Sequence, residues 1–341
     1  MAAAENRPLT SLRAFAAIWV IFSHITPNFT AQWTGASARM LRDGYMGVDV
    51  FFVLSGFILS VVYQPLRLAG TPRFFLKRIL RLYPLNIAIL LVLGVLSATI
   101  MPLGSWTDPH QLPLFILMLE GFKPWPVPAW NPVTWSVGVE LACYACFPFV
   151  VIGLRRLPTG IVAALAALLL ALSWWIQGFC LGWPCGWHGV ARGMSSFWPG
   201  VVLGTLALRV PRCPPRWAGI GEVACVAGLL VVVAADRLRL VPVITGGLVF
   251  LLFSDAGVVS RVFRQHWIFW LGEISFSIYM LFGLLLPRMM SIETHLSHHF
   301  PPAAAIPMFI ALYLAATIGL AHFTYVGIER PFRRLARPVP A

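Results

Sequence analysis

The chain has 341 residues, of which 59% are hydrophobic and only 11% charged, with a mean hydropathy of +0.81. That balance excludes a soluble enzyme, and the dispersal of the +13 formal charge between long apolar runs excludes the nucleic-acid binding that such a charge would otherwise suggest. At roughly 20 residues per crossing, residues 1–341 hold about ten membrane helices and leave no room for an added soluble domain. Runs such as 161–175, IVAALAALLLALSWW, are continuously apolar and lack the two-residue alternation of a membrane barrel, so the fold class is all-α.

The first helix is expected over about 9–27. It carries Arg13 and His24, eleven residues apart, which at 100° per residue puts both on one face, about 16 Å apart along the axis. Ionisable groups inside a bilayer are costly and face a protein interior or a water-filled cavity, so both are candidates for chemistry. The plain alternatives are that Arg13 reaches the headgroups and His24 is a hydrogen-bonded packing residue.

An outer loop runs to Asp43, and a second helix over about 44–63 carries Asp49 and Ser55 in GYMGVDVFFVLSGFILS. The basic segment TPRFFLKRILRLYP follows on the inner face, with Arg73, Lys77 and Arg81 at i,i+4 spacing and Arg78 beside them; a third helix covers about 82–101. Residues 112–121 are apolar but too few to span, and read as a re-entrant or interfacial element on the outer side. The fourth helix, about 133–154, contains TWSVGVELACY, in which Ser136 and Glu140 share a face.

Helices over about 160–178, 193–209, 217–235 and 240–254 are rich in Ala, Leu, Val and Gly and read as scaffold. A ninth, about 266–286, holds WLGEISFSIYMLF with Tyr279 as a polar tip, and a tenth, about 304–327, leads to IERPFRR, where Glu329 is placed to pair with a local arginine. His295, His298 and His299 fall in the last outer loop and read as solvated loop histidines.

On this map seventeen Lys and Arg lie on one side and seven, including Arg192, on the other. The positive-inside rule makes the richer side cytoplasmic, with both termini inside. Cys143 and Cys146 read as small packing residues; Cys180 and Cys185 share an outer loop, where an oxidising compartment would allow them to pair. Trp106, Trp125, Trp130, Trp183 and Trp187 are placed to anchor at the interface or to stack on a sugar ring. No metal-ligand spacing, glycine-rich nucleotide fingerprint, internal repeat or cleavable signal sequence is apparent.

Taken in order, these blocks resemble the acyltransferase-3 family of membrane acyltransferases. Arg13 to His24 matches its R-x10-H signature, GYMGVDVFFVLSGFILS its second helix, FFLKRILRLYP its basic inner segment, and TWSVGVELACY its W-S-x-x-x-E block. WLGEISFSIYMLF and IERPFRR match its last two helices and tail. The resemblance implies a protein of the bacterial inner membrane that transfers an acyl group, often acetyl, from cytoplasmic acyl-CoA to a hydroxyl of a carbohydrate or lipid-linked glycan. One departure stands out: many relatives carry a histidine three residues after the tyrosine of the ninth helix, where this chain has Phe282.

Under that resemblance His24 is the expected base, with Glu140 to orient it or to act as base itself. Arg13, Lys77, Arg78, Arg81 and Tyr83 are expected to hold the acyl-CoA, and Asp49, Ser55, Trp135, Ser136 and Tyr279 the acceptor. No metal is implied. Intramembrane Arg, His, Asp and Glu also suit a proton-coupled transporter, and a non-catalytic scaffold for polysaccharide assembly fits the same composition. The three readings separate on acyl-CoA turnover, gradient-driven uptake and the effect of His24→Ala.

Overall fold

A computed structural model of the chain describes residues 6–26, 35–99, 107–123, 130–180 and 186–335. The described residues are helical, with no strand among them. The helices are α1 (Arg7–Ile25), α2 (Gly35–Arg42), α3 (Gly47–Val62), α4 (Thr71–Thr99), α5 (Leu112–Leu117), α6 (Thr134–Arg156), α7 (Thr159–Cys180) and α8 (Gly186–Ala207). They continue with α9 (Pro215–Ala234), α10 (Val241–Phe253), α11 (Val258–Phe263), α12 (His266–Glu273), α13 (Ser275–His299), α14 (Pro302–Thr324) and α15 (Arg330–Leu335).

Seven helices are long and apolar enough to cross a membrane, and α12 with α13 makes an eighth if that pair, bent by 64°, is one crossing. Ten crossings also require α8, whose first half carries His188, Arg192, Ser195 and Ser196, and α10, which has 13 residues. The arrangement is inside out relative to a soluble protein. Leu91, Val92 and Val95 of α4, Leu168 and Leu172 of α7 and Leu230 and Val231 of α9 point outward, as lipid-facing side chains do. The span through α3 is 72% buried and that of α7 only 17%, so α3 is central and α7 peripheral.

The centre is built by close approach of α3 and α8. A Cβ at Gly56 would fall on the Phe197 carbonyl oxygen, one at Gly200 on that of Val53, and one at Gly204 would come within 2.6 Å of that of Phe57. Small residues four apart let two backbones meet where lipid offers no hydrophobic drive for association, so dispersion forces hold the pair. This brings Asp49 of α3 against α8. Arg192, expected from the sequence to be an outer loop cation, is buried inside the protein and bound to that aspartate. A helix that reads from composition as scaffold thus supplies a buried charge.

Several boundaries differ from the expectations. The basic segment and the third helix are one 29-residue helix, α4, which passes through Pro84; in a membrane protein neighbouring groups can satisfy the backbone acceptor that a proline leaves free. The segment before Asp43, expected as an outer loop, contains α2. The ninth helix breaks at Ile274, between α12 and α13, and continues to His299, so His295, His298 and His299 lie on a helix and not in a loop, the rings of His295 and His299 tilted against each other at 4.5 Å on successive turns. The element at 112–121 is short, as expected: α5 ends after six residues at Met118, whose backbone is left-handed (φ 55°).

Glu329 makes no ion pair with a neighbouring arginine among the described residues; its carboxylate accepts from Ser277 Oγ. Cys143 is buried and Cys146 exposed. Cys180 is buried at the end of α7, and Cys185 lies outside the described residues, as do Trp106, Trp125 and Trp183. Trp130 is buried and donates through Nε1 to the Asp108 carbonyl at 2.9 Å, while Trp187 is exposed.

Candidate active site

A cavity of about 60 Å³ opens where α1, α3, α4, α6 and the α12–α13 break meet. It is lined by polar side chains from all of them, Arg13, Ser55, Arg81, Ser136, Glu140, Ser275 and Tyr279, with Phe51 and Phe276 among its apolar walls. At roughly 10–15 Å³ per water this is room for about four to six waters, and a polar lining in a membrane core marks a wet or ligand-filled space. Irregular backbone at this depth is tolerated where it faces such a space, and Ser275, just past the break, donates back to the Gly272 carbonyl at 2.8 Å.

Glu140 is the best-organised group. Its Oε1 accepts from Ser55 Oγ and, at 2.5 Å, from the Tyr144 hydroxyl. Tyr144 is in turn fixed by α4: the Arg78 guanidinium stands 5.8 Å from its ring, over Phe74 and Tyr63 as well, and donates to the Tyr63 hydroxyl at 3.1 Å. Ser136, Glu140 and Tyr144 follow at i, i+4 and i+8 on α6. The sequence reading takes in only the first two, although the same spacing extends to Tyr144.

On the far wall the Tyr279 hydroxyl lies 2.8 Å from Ser136 Oγ and donates to the Val133 carbonyl at 3.1 Å. Trp135 is buried beside Gly121, outside the lining.

Arg13 and His24 are placed differently from each other. Arg13 lines the cavity, interacts electrostatically with Arg81 and Glu140, and keeps a buried Nε without a hydrogen-bond partner. His24, about three turns further along α1, is not in the lining. Its Nδ1 lies 2.9 Å from the Val20 carbonyl and 3.2 Å from Ser23 Oγ, and its ring has an exposed edge. Phe282 packs edge-on against it with ring centroids 4.7 Å apart, and Tyr279 lies next to Phe282 at 6.0 Å. Phe282 therefore touches His24, and two aromatic rings, Phe282 and Tyr279, link His24 to the cavity. His24 and Glu140 share no hydrogen bond among the described residues.

The other candidates divide. Arg81 lines the cavity, Arg78 is enclosed by aromatic rings, and Lys77 and Tyr83 are half-buried along α4. Asp49 is fully buried and its oxygens are already filled. Arg192 Nε donates to it at 2.9 Å, Gln177 Nε2 at 2.8 Å and Ser196 Oγ at 2.9 Å, so it positions α8 on α3 and offers nothing to an acceptor. Gln177, Ser196 and Arg192 had no motif to betray them. The available signal was a lone acid in an apolar helix, which demands a buried cation somewhere.

A polar, arginine-bearing cavity inside an all-helical membrane bundle defines a membrane enzyme or carrier. A family profile described as an acyltransferase domain matches residues 8–325, and the chain belongs to that acyltransferase-3 family. Among similar proteins is Acyltransferase MdmB of Streptomyces mycarofaciens, 28% identical over 97% of this chain and 93% of that protein. Another is a putative O-acetyltransferase, SACOL0978, of Staphylococcus aureus strain COL, 21% identical over 96% of this chain and 57% of that protein, so the chain spans little more than half of the staphylococcal relative. Protein 2 in the picA locus of Rhizobium radiobacter is 34% identical over 30% of this chain and 53% of that protein. No solved structure matches.

Proposed function

We propose that this acyltransferase moves an acyl group, acetyl in the simplest case, from cytoplasmic acyl-CoA to a hydroxyl of a carbohydrate or lipid-linked glycan at the bacterial inner membrane. The observation that carries the reading is the order along α1: Arg13 in a cavity with Arg81 and Glu140, then His24 on the same helix toward the other end. Acyl-CoA is long, with phosphates at one end and a thioester at the other, and cations at one end with an imidazole at the other suit it. The staphylococcal relatives' description as putative O-acetyltransferases supports an oxygen acceptor.

In direct transfer His24 takes the proton of the acceptor hydroxyl and the oxygen attacks the thioester carbonyl. The carbon–sulfur bond breaks, and the departing CoA thiolate receives the proton from the imidazolium. In a relay the imidazole nitrogen attacks the thioester carbonyl first, the carbon–sulfur bond breaks and CoA leaves as the thiol with the proton of the other ring nitrogen. The acyl-imidazole then passes its acyl group to the hydroxyl, whose proton returns to the ring. Glu140, held by Ser55 and Tyr144, keeps the polar atoms of the bound chain aligned. With Phe282 beside it, His24 works without a second imidazole.

The test is acetyl-CoA binding and turnover by the purified protein in nanodiscs, wild type against His24→Ala and Arg13→Ala. Slow CoA release by wild type, lost in His24→Ala while binding persists, supports the reading and gives His24 the chemistry. A folded wild type that binds neither acetyl-CoA nor longer acyl-CoAs overturns it. Rapid quench with labelled acetyl-CoA separates the two routes, since only the relay yields an acyl-enzyme.

A further inference from the structure

Helix α13 carries the cavity wall on toward His24. Ser275, Phe276 and Tyr279 line the cavity, and Phe282 stands one turn beyond Tyr279 on the same helix. Phe51 of α3, also in the lining, meets Tyr279 edge-on with ring centroids 5.9 Å apart. Tyr279 meets Phe282 at 6.0 Å, and Phe282 meets His24 at 4.7 Å, both again edge-on. A single row of rings, each in contact with the next, therefore joins the polar cavity to the imidazole.

The row is fixed from several sides. The Tyr279 hydroxyl is engaged by Ser136 and by the Val133 carbonyl. The buried Tyr313 of α14 donates to the Phe282 carbonyl at 2.6 Å, and the buried Asn131 donates through Nδ2 to the Met280 carbonyl at 3.0 Å. Phe282 is fully buried, and a large ring in a close-packed interior does not move aside without displacing its neighbours. His24 is exposed, which leaves an acceptor hydroxyl an approach that does not cross these rings. A donor held in the cavity has no such freedom, and its acyl group meets Phe282 on the way to the imidazole.

The space available is small. With room for about four to six waters, the cavity takes an acetyl group and the thioester beside it, whereas a hexanoyl chain would fill it and press on the rings. We propose that Phe282 is the specificity-determining residue for acyl chain length: its ring closes the acyl-binding space beside His24 and restricts the donor to short acyl-CoAs such as acetyl and propionyl. This limit rests on the acyl-CoA reading above and narrows its donor to one class.

Full-length wild type, Phe282→Leu, Phe282→Ala and Phe115→Leu are placed in nanodiscs, and CoA release is followed with acetyl-, propionyl-, butyryl- and hexanoyl-CoA. One methylene too many in an apolar pocket costs about tenfold to 200-fold in kcat/KM. Wild type should therefore lose about tenfold or more in kcat/KM at butyryl-CoA, and more again at hexanoyl-CoA. Phe282→Leu should raise the butyryl-to-acetyl ratio by about tenfold, and Phe282→Ala should raise the hexanoyl-to-acetyl ratio further. Such ratios are insensitive to a loss of folded protein. Phe115 is equally buried but sits in a separate cluster with Leu90 and Trp130, so Phe115→Leu should keep the wild-type ratios.

A folded wild type that turns over hexanoyl-CoA and acetyl-CoA within about twofold of each other overturns the limit and leaves the acyl-CoA reading standing. Unchanged ratios in Phe282→Leu and Phe282→Ala also overturn it, and where Phe282→Ala does not fold, Phe282→Leu decides. A shift of the same size in Phe115→Leu overturns the assignment to Phe282, since any loosened core would then suffice. A folded wild type that releases CoA from none of the donors overturns both the limit and the reading beneath it.

Discussion

Arg192 of α8 donates through Nε to Asp49 Oδ2 of α3 at 2.9 Å, in a pocket where both side chains are 3% exposed or less. Gln177 and Ser196 fill the other carboxylate oxygen, so the charge is compensated on every side. Removing one partner strands the other in an apolar core, at a cost of about 3–5 kcal/mol. Arg192→Met and Asp49→Leu should each lower the thermal midpoint sharply in detergent, and the double variant should recover much of the loss. A single variant that melts with wild type would show that the pair does not hold α3 to α8.

Gly200 makes a similar case from geometry alone. A side chain there meets the Val53 backbone, which cannot yield without separating α3 from α8. Gly200→Val should therefore unfold the protein or strip it of cavity function. Gly153 has open space around its Cβ position, so Gly153→Ala should be neutral or slightly stabilising through helix propensity. Comparable melting of the two variants would refute the close approach.

Glu120, in the short element between α5 and α6, is 4% exposed and accepts from Thr134 Oγ1. Burial pushes its carboxyl from 4.5 to about 7 against the smaller opposing effect of that hydrogen bond. The folded state therefore holds the proton more tightly than the unfolded chain. Its contribution is complete below pH 4.5 and is lost as pH rises toward about 7, a change on the order of 3 kcal/mol. Glu120→Gln should flatten the pH dependence of the melting temperature between about pH 5 and 7. Identical slopes for wild type and variant would count against it.

Ser55 and Tyr144 both donate to one oxygen of Glu140. Tyr144→Phe keeps the ring and its packing under Arg78 but removes one donor to a carboxylate, a hydrogen bond worth about 1.5–3 kcal/mol. Turnover of acetyl-CoA should fall by about tenfold or more, with a loss of stability no larger than that hydrogen bond's worth. Unaltered kcat in Tyr144→Phe and Ser55→Ala alike would show that the orientation of Glu140 is immaterial.

The helical membrane class was legible in the sequence because a bilayer forces the backbone to satisfy itself within each segment, and continuous apolar runs are the result. Ser136 and Glu140 on one face of α6, and Arg13 in a polar interior, were legible for the related reason that intrahelical geometry is fixed by about 3.6 residues per turn. What periodicity cannot encode is which helices meet. The pairing of Asp49 with Arg192, 143 residues away, depends on a close glycine approach between α3 and a helix that reads from composition as scaffold. The same is true of the ring of Phe282 on His24 and of the break at Ile274 beside the cavity. These are long-range packing outcomes, settled by shape complementarity across the bundle, and only the tertiary structure decided them.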